Sequence, residues 1–524
     1  MTEPTTQKRA ANKRAGGRAA RTKMRTGGPE GRPDPNKPGQ TGGAYRPLSD
    51  ADVLRIDNAA KNVLEHIGMG EVPKIVSDLA IAKGCWLDEH GRLHFPRAFV
   101  EDIIAGAARN FVLHGRDPKH DIEVTGTKVH YGTGGAAVRT LDYETGTYRP
   151  STLIDLYDFA RIADSLENIS WFTRCVVATD LEDNFELDIN TAYAIASATT
   201  KHIGTSFFVG EYVKPAIEMF DMIGGGEGSF AKRPFCKVHI SPVISPLRYG
   251  EDAVDVAVEA IKANMPINVI IAAQSGATAP APLATMLVHT VAETLAGLIM
   301  INLFKPGHPT VFSNWPFVID LRTGAFSGSG GEISVMNAGA AQMANFYDLP
   351  SGVAASMADS KVPDAQAGYE KGISLLATGL AGANLVYESA GMFASLLGAS
   401  FEGMVIDNDI IGVAHRVIRG FEVTDDLIAL DVIRDAVFGA GHFLGHDQTI
   451  AAMERDYYYP ELSDRLSPDA WEEMGSTNML DRAHLKTQNI LDNHYPTYID
   501  PAVDAAIRER WPIRLAAERM HPRP

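Results

Sequence analysis

Along the middle of the chain, short runs of apolar or alternating residues are each followed by a longer stretch whose apolar side chains return every three to four positions. The short runs fall at residues 129–131, 169–177, 203–209, 237–240, 267–272, 310–313, 352–357 and 385–388, and each predicts a strand. The longer stretches at 153–166, 185–199, 212–223, 251–263, 283–304, 333–346, 365–381 and 396–417 predict helices. Strict strand–helix alternation implies a parallel α/β sheet, and closing it into a (β/α)8 TIM barrel leaves no unpaired edge. An open doubly wound sheet is the rival. The barrel is favoured because the strand ends carry chemically marked residues and no GxGxxG turn opens the first helix.

Residues flanking this unit extend it at both ends. Residues 44–128 predict N-terminal helices and short strands: a helix over 48–68 capped by Ser49, a second over 72–82, and strand-like alternation over 111–132. The barrel spans 129–419, and 420–524 predict a C-terminal helical extension with three tyrosines at 457–459. That extension is expected to pack outside the barrel or against another subunit, making a homo-oligomer.

Charge changes the picture at the N-terminus. Residues 1–40 hold ten Lys or Arg against three acids, so a net charge of −17 leaves the remainder near −24. A body that acidic repels phosphate backbones, which argues against nucleic acid as a partner. Residues 1–43 have charge without apolar bulk and are expected to be a disordered basic tail. The first residues have no apolar stretch of a secretory signal, and the apolar run near 295–304 reads as part of a buried helix, so a cytoplasmic, non-membrane protein is expected. Cys85, Cys175 and Cys236 lie too far apart for a metal knuckle or a disulfide framework.

In a (β/α)8 barrel, chemistry collects at the C-terminal ends of the strands. Read in order, these ends offer the Tyr131 to Gly135 loop; Thr179 and Asp180; Phe207 and Phe208; His239; Gln274; Asn314 and Trp315; Asp359 and Lys361; and Glu388. They contain no nucleophile elbow and no phosphate-binding loop. His442 and His446 are four apart, but flanking glycines argue against a helix and no third ligand follows, so no metal is expected. Aromatic faces at Tyr131, Phe207, Phe208 and Trp315, with a few neutral polar groups, suit a small organic cation held by cation–π contact.

The string ADSKVPDAQAGYEK over 358–371, the apolar stretch 373–383, VIDND over 405–409, and the YGTGG loop at 131–135 with Pro-Ser-Thr ending at Thr152 resemble the trimethylamine methyltransferase superfamily over residues 45–515. The resemblance implies a (β/α)8 enzyme that moves a methyl group from a methylated amine to the Co(I) of a separate corrinoid protein. In this reading no cofactor is bound tightly, and the cobalamin is carried by the partner. Relatives that use trimethylamine hold pyrrolysine near the seventh strand, whereas this chain has only standard residues, with Lys361 at the corresponding place.

A tertiary amine is a poor leaving group until it becomes cationic, while a quaternary ammonium leaves as a neutral amine. A quaternary donor such as glycine betaine is therefore expected. Tyr131, Phe207, Phe208 and Trp315, beside Asn314, are the residues expected to cage the cation. Gly134, Gly135, His239, Gln274 or Lys361 would take its carboxylate, and Asp359 and Glu388 would steady the cation or orient Lys361. Three alternatives stay open: trimethylamine used without pyrrolysine, a Schiff-base lyase or aldolase using Lys361, and a quaternary-amine-binding protein without catalysis.

Overall fold

The computed structural model describes residues 36–522, which form two compact units: 36–420 together with 460–522, and 421–459. The larger unit is built on eight parallel strands: β1 (Lys128–Tyr131), β2 (Trp171–Thr173), β3 (His202–Thr205), β4 (Cys236–Ile240), β5 (Ile267–Ile271), β6 (Thr310–Asn314), β7 (Ser351–Ala354) and β8 (Leu385–Tyr387). Each pairs in parallel with the next from β2 to β8, and β8 pairs with β1. Hydrogen bonds from Ser170 N to Tyr131 O (2.8 Å) and from Ala137 N to Cys175 O (3.0 Å) close β1 on β2. The sheet is a (β/α)8 barrel, as the alternation predicts.

Eight helices alternate with the strands: α1 (Leu153–Asp164), α2 (Asn184–Ala198), α3 (Val213–Ile223), α4 (Glu251–Lys262), α5 (Leu283–Phe304), α6 (Gly331–Phe346), α7 (Ala365–Leu380) and α8 (Phe401–Arg419). Their starts follow local rules. Thr152 and Asp155 form a reciprocal capping box at α1, and Asp183, Asp364 and Ser400 cap α2, α7 and α8. Helix α5 is long and apolar enough to cross a membrane by length and composition, yet 83% of its apolar window is buried inside the protein. It is a core helix, packed against β5, β6 and the N-terminal helix Asp50–His66.

That N-terminal helix is capped by Ser49, and the next helix, Lys74–Ile81, falls in the expected place. A helix over Arg97–Gly106 is unforeseen; it starts after Pro96 without a side-chain cap and buries only Val100 and Ile104. Of the basic tail expected over 1–43, residues 1–35 lie outside the described residues. Its last part is not disordered: Gln40–Thr41 adds an antiparallel strand to β1. Backbone groups alone make that pairing, so apolar poverty does not forbid it.

The C-terminal extension is divided. Residues 421–459, with the three tyrosines, are the separate unit. Residues 460–522 pack on the barrel helices: Asp409 on α8 accepts backbone N–H groups of Glu461, Leu462 and Ser463 (3.1, 2.7 and 3.2 Å), and Arg161 on α1 donates to the carbonyls of Leu491 (2.8 Å) and His494 (2.9 Å).

Candidate active site: an aromatic chamber in the barrel

Strand β4 reads Cys-Lys-Val-His-Ile, and the period of two in a strand sends Lys237 and His239 to the same face. That face is the barrel interior. Lys237 Nζ lies 5.0 Å from the centre of the Trp171 ring on β2 and 5.5 Å from that of Tyr387 on β8. The Tyr387 ring also meets Trp171 at 5.1 Å, His239 at 5.2 Å nearly edge-on, and Trp315 at 5.4 Å. Thr173 Oγ1 lies 3.4 Å from His239 Nε2. Side chains from β2, β4 and the residue after β6 thus converge on the phenol ring of β8.

Space for these side chains comes from glycine. A Cβ at Gly132 would collide with the Trp171 indole, and one at Gly352 with the Ser313 hydroxyl. At Gly204 it would lie 2.5 Å from Thr173 Oγ1 and 3.0 Å from His239 Nε2.

Several polar atoms here are buried with no hydrogen-bond partner among the described residues: Lys237 Nζ, the Tyr387 hydroxyl, Trp315 Nε1 and Glu388 Oε2. Folded proteins rarely leave such groups unmet, and their gathering around Tyr387 and its neighbour marks a place for a ligand. Burial moves their proton affinities. It pulls the Lys237 amine down to about 7 and pushes the Glu388 carboxyl up to about 8, the latter against the opposing charge of Lys371. Burial, then the charges of Lys237 and Arg174, hold His239 well below its ordinary value, so its ring is neutral.

Glu388 has φ +62°, a left-handed conformation uncommon for a residue with a side chain. Its carboxyl rests on the Gly-rich loop after β1: a Cβ at Gly134 would sit 3.2 Å from Oε1, and one at Gly135 2.7 Å from Oε2. The glycines of that loop therefore admit Glu388. Beside it runs a buried ion pair. Lys371 Nζ contacts Asp407 (3.0 Å), the Ser356 carbonyl (2.9 Å) and the face of Phe393 (4.5 Å), and Asp407 also accepts Gly391 N–H at 2.7 Å.

The sequence-derived residues divide. His239, Trp315 and Glu388 lie at the chamber or its rim, with Gly134 and Gly135 against Glu388; Asn314 is buried on the outward face of β6 shared with Phe312, which packs on Tyr347, and Gln274 is half-buried beyond β5. Tyr131 is not in the chamber. Strand alternation turns it outward, where its hydroxyl donates to Leu375 O (3.1 Å) and its ring meets His415 on α8 at 5.0 Å. Phe207 packs in the core, while Phe208 is 46% exposed with its N–H donating to Asp188 (2.8 Å); neither makes a ring contact with Trp315.

Lys361 is exposed, and its amine donates to the carbonyl of Asp359 (2.7 Å) instead of entering the barrel. That removes the geometric basis for a Schiff base there. Asp359 clasps loops: it accepts Gly328 N–H (2.7 Å) and the hydroxyls of Ser327 (2.6 Å), Ser329 (3.0 Å) and Ser395 (2.7 Å). Burial raises its carboxyl, but these bonds outweigh burial and hold it below the usual range. His442 and His446 lie in a turn, off any shared helix face.

Trp171, Lys237 and Tyr387 are the chamber residues that sequence reasoning missed, along with Arg174 and Asp188 nearby. Burial lifts the Asp188 carboxyl to about 7, against the Phe208 N–H and the Arg174 charge. The signal for Lys237 is plain: a Lys two residues before a His inside an apolar strand marks a polar inner face. A large cavity of about 630 Å³ between helix Asp50–His66, α5 and α6 is lined by Leu48, Ile56, Leu287 and Met336, far poorer in unmet polar groups than the chamber.

The family model for trimethylamine methyltransferase (MTTB) matches residues 14–516. Trimethylamine methyltransferase MttB of Desulfitobacterium hafniense is 31% identical over 462 residues, 88% of this chain and 92% of that one; MttB2 of Methanosarcina mazei is 34% identical over 467 residues, 88% and 92%. The glycine betaine methyltransferase of D. hafniense is 29% identical over 468 residues, 88% and 96%. The crystal structure of the Methanosarcina barkeri monomethylamine methyltransferase (MtmB) gives a TM-score of 0.47 at 14% identity, covering 87% of this chain and 96% of that one. The chain belongs to the trimethylamine methyltransferase (MTTB) family, and its closed barrel with an aromatic chamber is the body of a methyltransferase.

Proposed function

We propose that the protein moves a methyl group from a quaternary methylammonium acid such as glycine betaine to the corrinoid of a separate protein. The observation that carries this reading is the Trp171–Tyr387–Trp315 cluster inside the barrel, in which the Trp171 and Trp315 ring centres lie 5.1 and 5.4 Å from that of Tyr387. Aromatic faces attract a quaternary ammonium, which has no N–H to donate and gains little from carboxylates beyond charge. The corrinoid belongs to the partner, supplies the nucleophilic Co(I), and no residue of this chain is assigned to hold it.

What this chain does is bind, desolvate and orient. Methyl loss turns the quaternary nitrogen into a neutral amine, and exclusion of water removes hydration that favours the charged donor over the neutral product. Glu388 retains its proton near neutrality, so its hydroxyl can donate to the substrate carboxylate instead of repelling it. Trp315 Nε1 and the Tyr387 hydroxyl are further unmet donors.

One observation favours a second reading. The raised Glu388 carboxyl supports it: a protonated Glu388 would supply the proton that makes trimethylamine cationic without pyrrolysine. One experiment separates the two: mix the protein with reduced cobalamin and either glycine betaine or trimethylamine, and follow methylcobalamin by its visible spectrum. Methylation with glycine betaine is expected. Methylation with trimethylamine alone would overturn the quaternary reading.

A further inference from the structure

Four lysines are buried among the described residues, and three have oxygen cradles. Lys61 pairs with Asp57 at 3.0 Å; Lys201 donates to the carbonyls of Ala163, Leu166 and Ile169, each at 2.7 Å; Lys371 pairs with Asp407 at 3.0 Å. Lys237 differs. It is wholly buried, its Nζ has no hydrogen-bond acceptor among the described residues, and what faces it are the rings of Trp171 and Tyr387 at 5.0 and 5.5 Å. The titratable groups around it are the Cys236 thiol on its own strand, His202 on β3, His239 on β4 and the Tyr387 phenol on β8, with the Arg174 charge beyond His239. None is a carboxylate.

We propose that Lys237 is a built-in competitor for the substrate's positive charge: its ammonium and a quaternary ammonium draw on the same aromatic cluster and exclude one another, so binding the substrate cation expels a proton from Lys237. The inference rests on the functional reading above. Tyr387 is the shared ring, with Lys237 against it at 5.5 Å and Trp315 and His239 at 5.4 and 5.2 Å. Two cations on one buried ring repel with little screening by solvent. The amine is the one that can yield: R–NH3+ becomes R–NH2, one proton leaves to solvent, and one cationic group remains against the rings. When methyl transfer neutralises the substrate, the proton returns.

The amine loses its proton at about pH 7, so the competent form is the minor one at pH 6 and the major one at pH 8. With full exclusion, the affinity for a permanent cation at pH 6 is about tenfold weaker than at pH 8. Roughly 0.9 proton is released per cation bound at pH 6 and about 0.1 at pH 8.

Calorimetric titration with tetramethylammonium, which itself never titrates, tests this at both pH values in two buffers of different ionisation enthalpy. The full chain should show the release and the tenfold pH dependence. Lys237→Met should bind with no proton release and equal affinity at pH 6 and pH 8. Lys237→Arg, permanently charged, should bind weakly at both. Binding by the unaltered protein without proton release at pH 6, or Lys237→Met keeping the release, overturns this inference and leaves the functional reading intact. Absence of binding to the unaltered protein and to Lys237→Met at every pH overturns both.

Discussion

Replacing Lys371 with Met removes one cation and strands one anion. The Lys371 and Asp407 side chains are 2% and 1% exposed, so their 3.0 Å contact is screened by protein and not by water. Removing one partner of such a pair costs about 3–5 kcal/mol, because the remaining charge stays buried without its counterion. Asp407 would keep a single bond, from Gly391 N–H at 2.7 Å. Burial already raises its carboxyl in the presence of Lys371, and loss of the lysine raises it further.

The sign of the pH dependence follows. A carboxyl whose folded pKa lies above its unfolded value destabilises the fold above the unfolded pKa, and the penalty disappears as pH falls toward about 4. The deficit of the variant should therefore be largest near pH 8 and shrink toward pH 5. Urea unfolding followed by tryptophan fluorescence reads it. Adding Asp407→Asn to Lys371→Met should recover at least half of the loss, since the stranded charge is gone. A loss below about 1 kcal/mol, or one unchanged between pH 8 and pH 5, would refute the reasoning that this pair holds the loop after β8.

Three further outcomes are expected. Tyr387→Leu should weaken tetramethylammonium binding by about 1–2 kcal/mol, or roughly 5- to 30-fold, while leaving an uncharged tert-butyl analogue nearly unaffected in calorimetry. Lys361→Ala should change methyl transfer little and stability by less than about 0.5 kcal/mol in a urea melt, because its amine is exposed and held by Asp359 O. Gly132→Ala should cost about 1–3 kcal/mol and shift the tryptophan fluorescence, because the new methyl displaces the Trp171 indole.

Much of the fold is legible in the sequence because periodicity reports directly on burial. Every barrel strand and helix lies where apolar spacing puts it, and α5 matches its predicted 283–304 residue for residue. The chamber is less legible. Reading only the strand ends favoured Tyr131, Phe207, Phe208 and Lys361, whereas a period of two within the strands divides Tyr131, which faces the helices, from Lys237, which faces the interior. Tyr387 comes from β8, whose register against the barrel axis no local pattern fixes. The strings that carry the family resemblance are also largely structural. Thr152 caps α1, Glu370 accepts the N–H groups of Asp359 (2.8 Å) and Ser360 (3.2 Å), and Asn408 accepts that of Asn168 (3.0 Å). They identify the scaffold, and a scaffold alone does not name a substrate.

The inward glycines give the chamber an unusual route to change. The packing of its side chains depends on the Cβ atoms missing at Gly204, at Gly352 and at Gly132 just after β1. A methyl at position 204 would press on Thr173 and His239, and one at 132 on Trp171, without touching α1 to α8 directly. The glycines and the helices thus act on different contacts: an added methyl at 132 or 204 is felt first by the rings and polar groups inside the barrel.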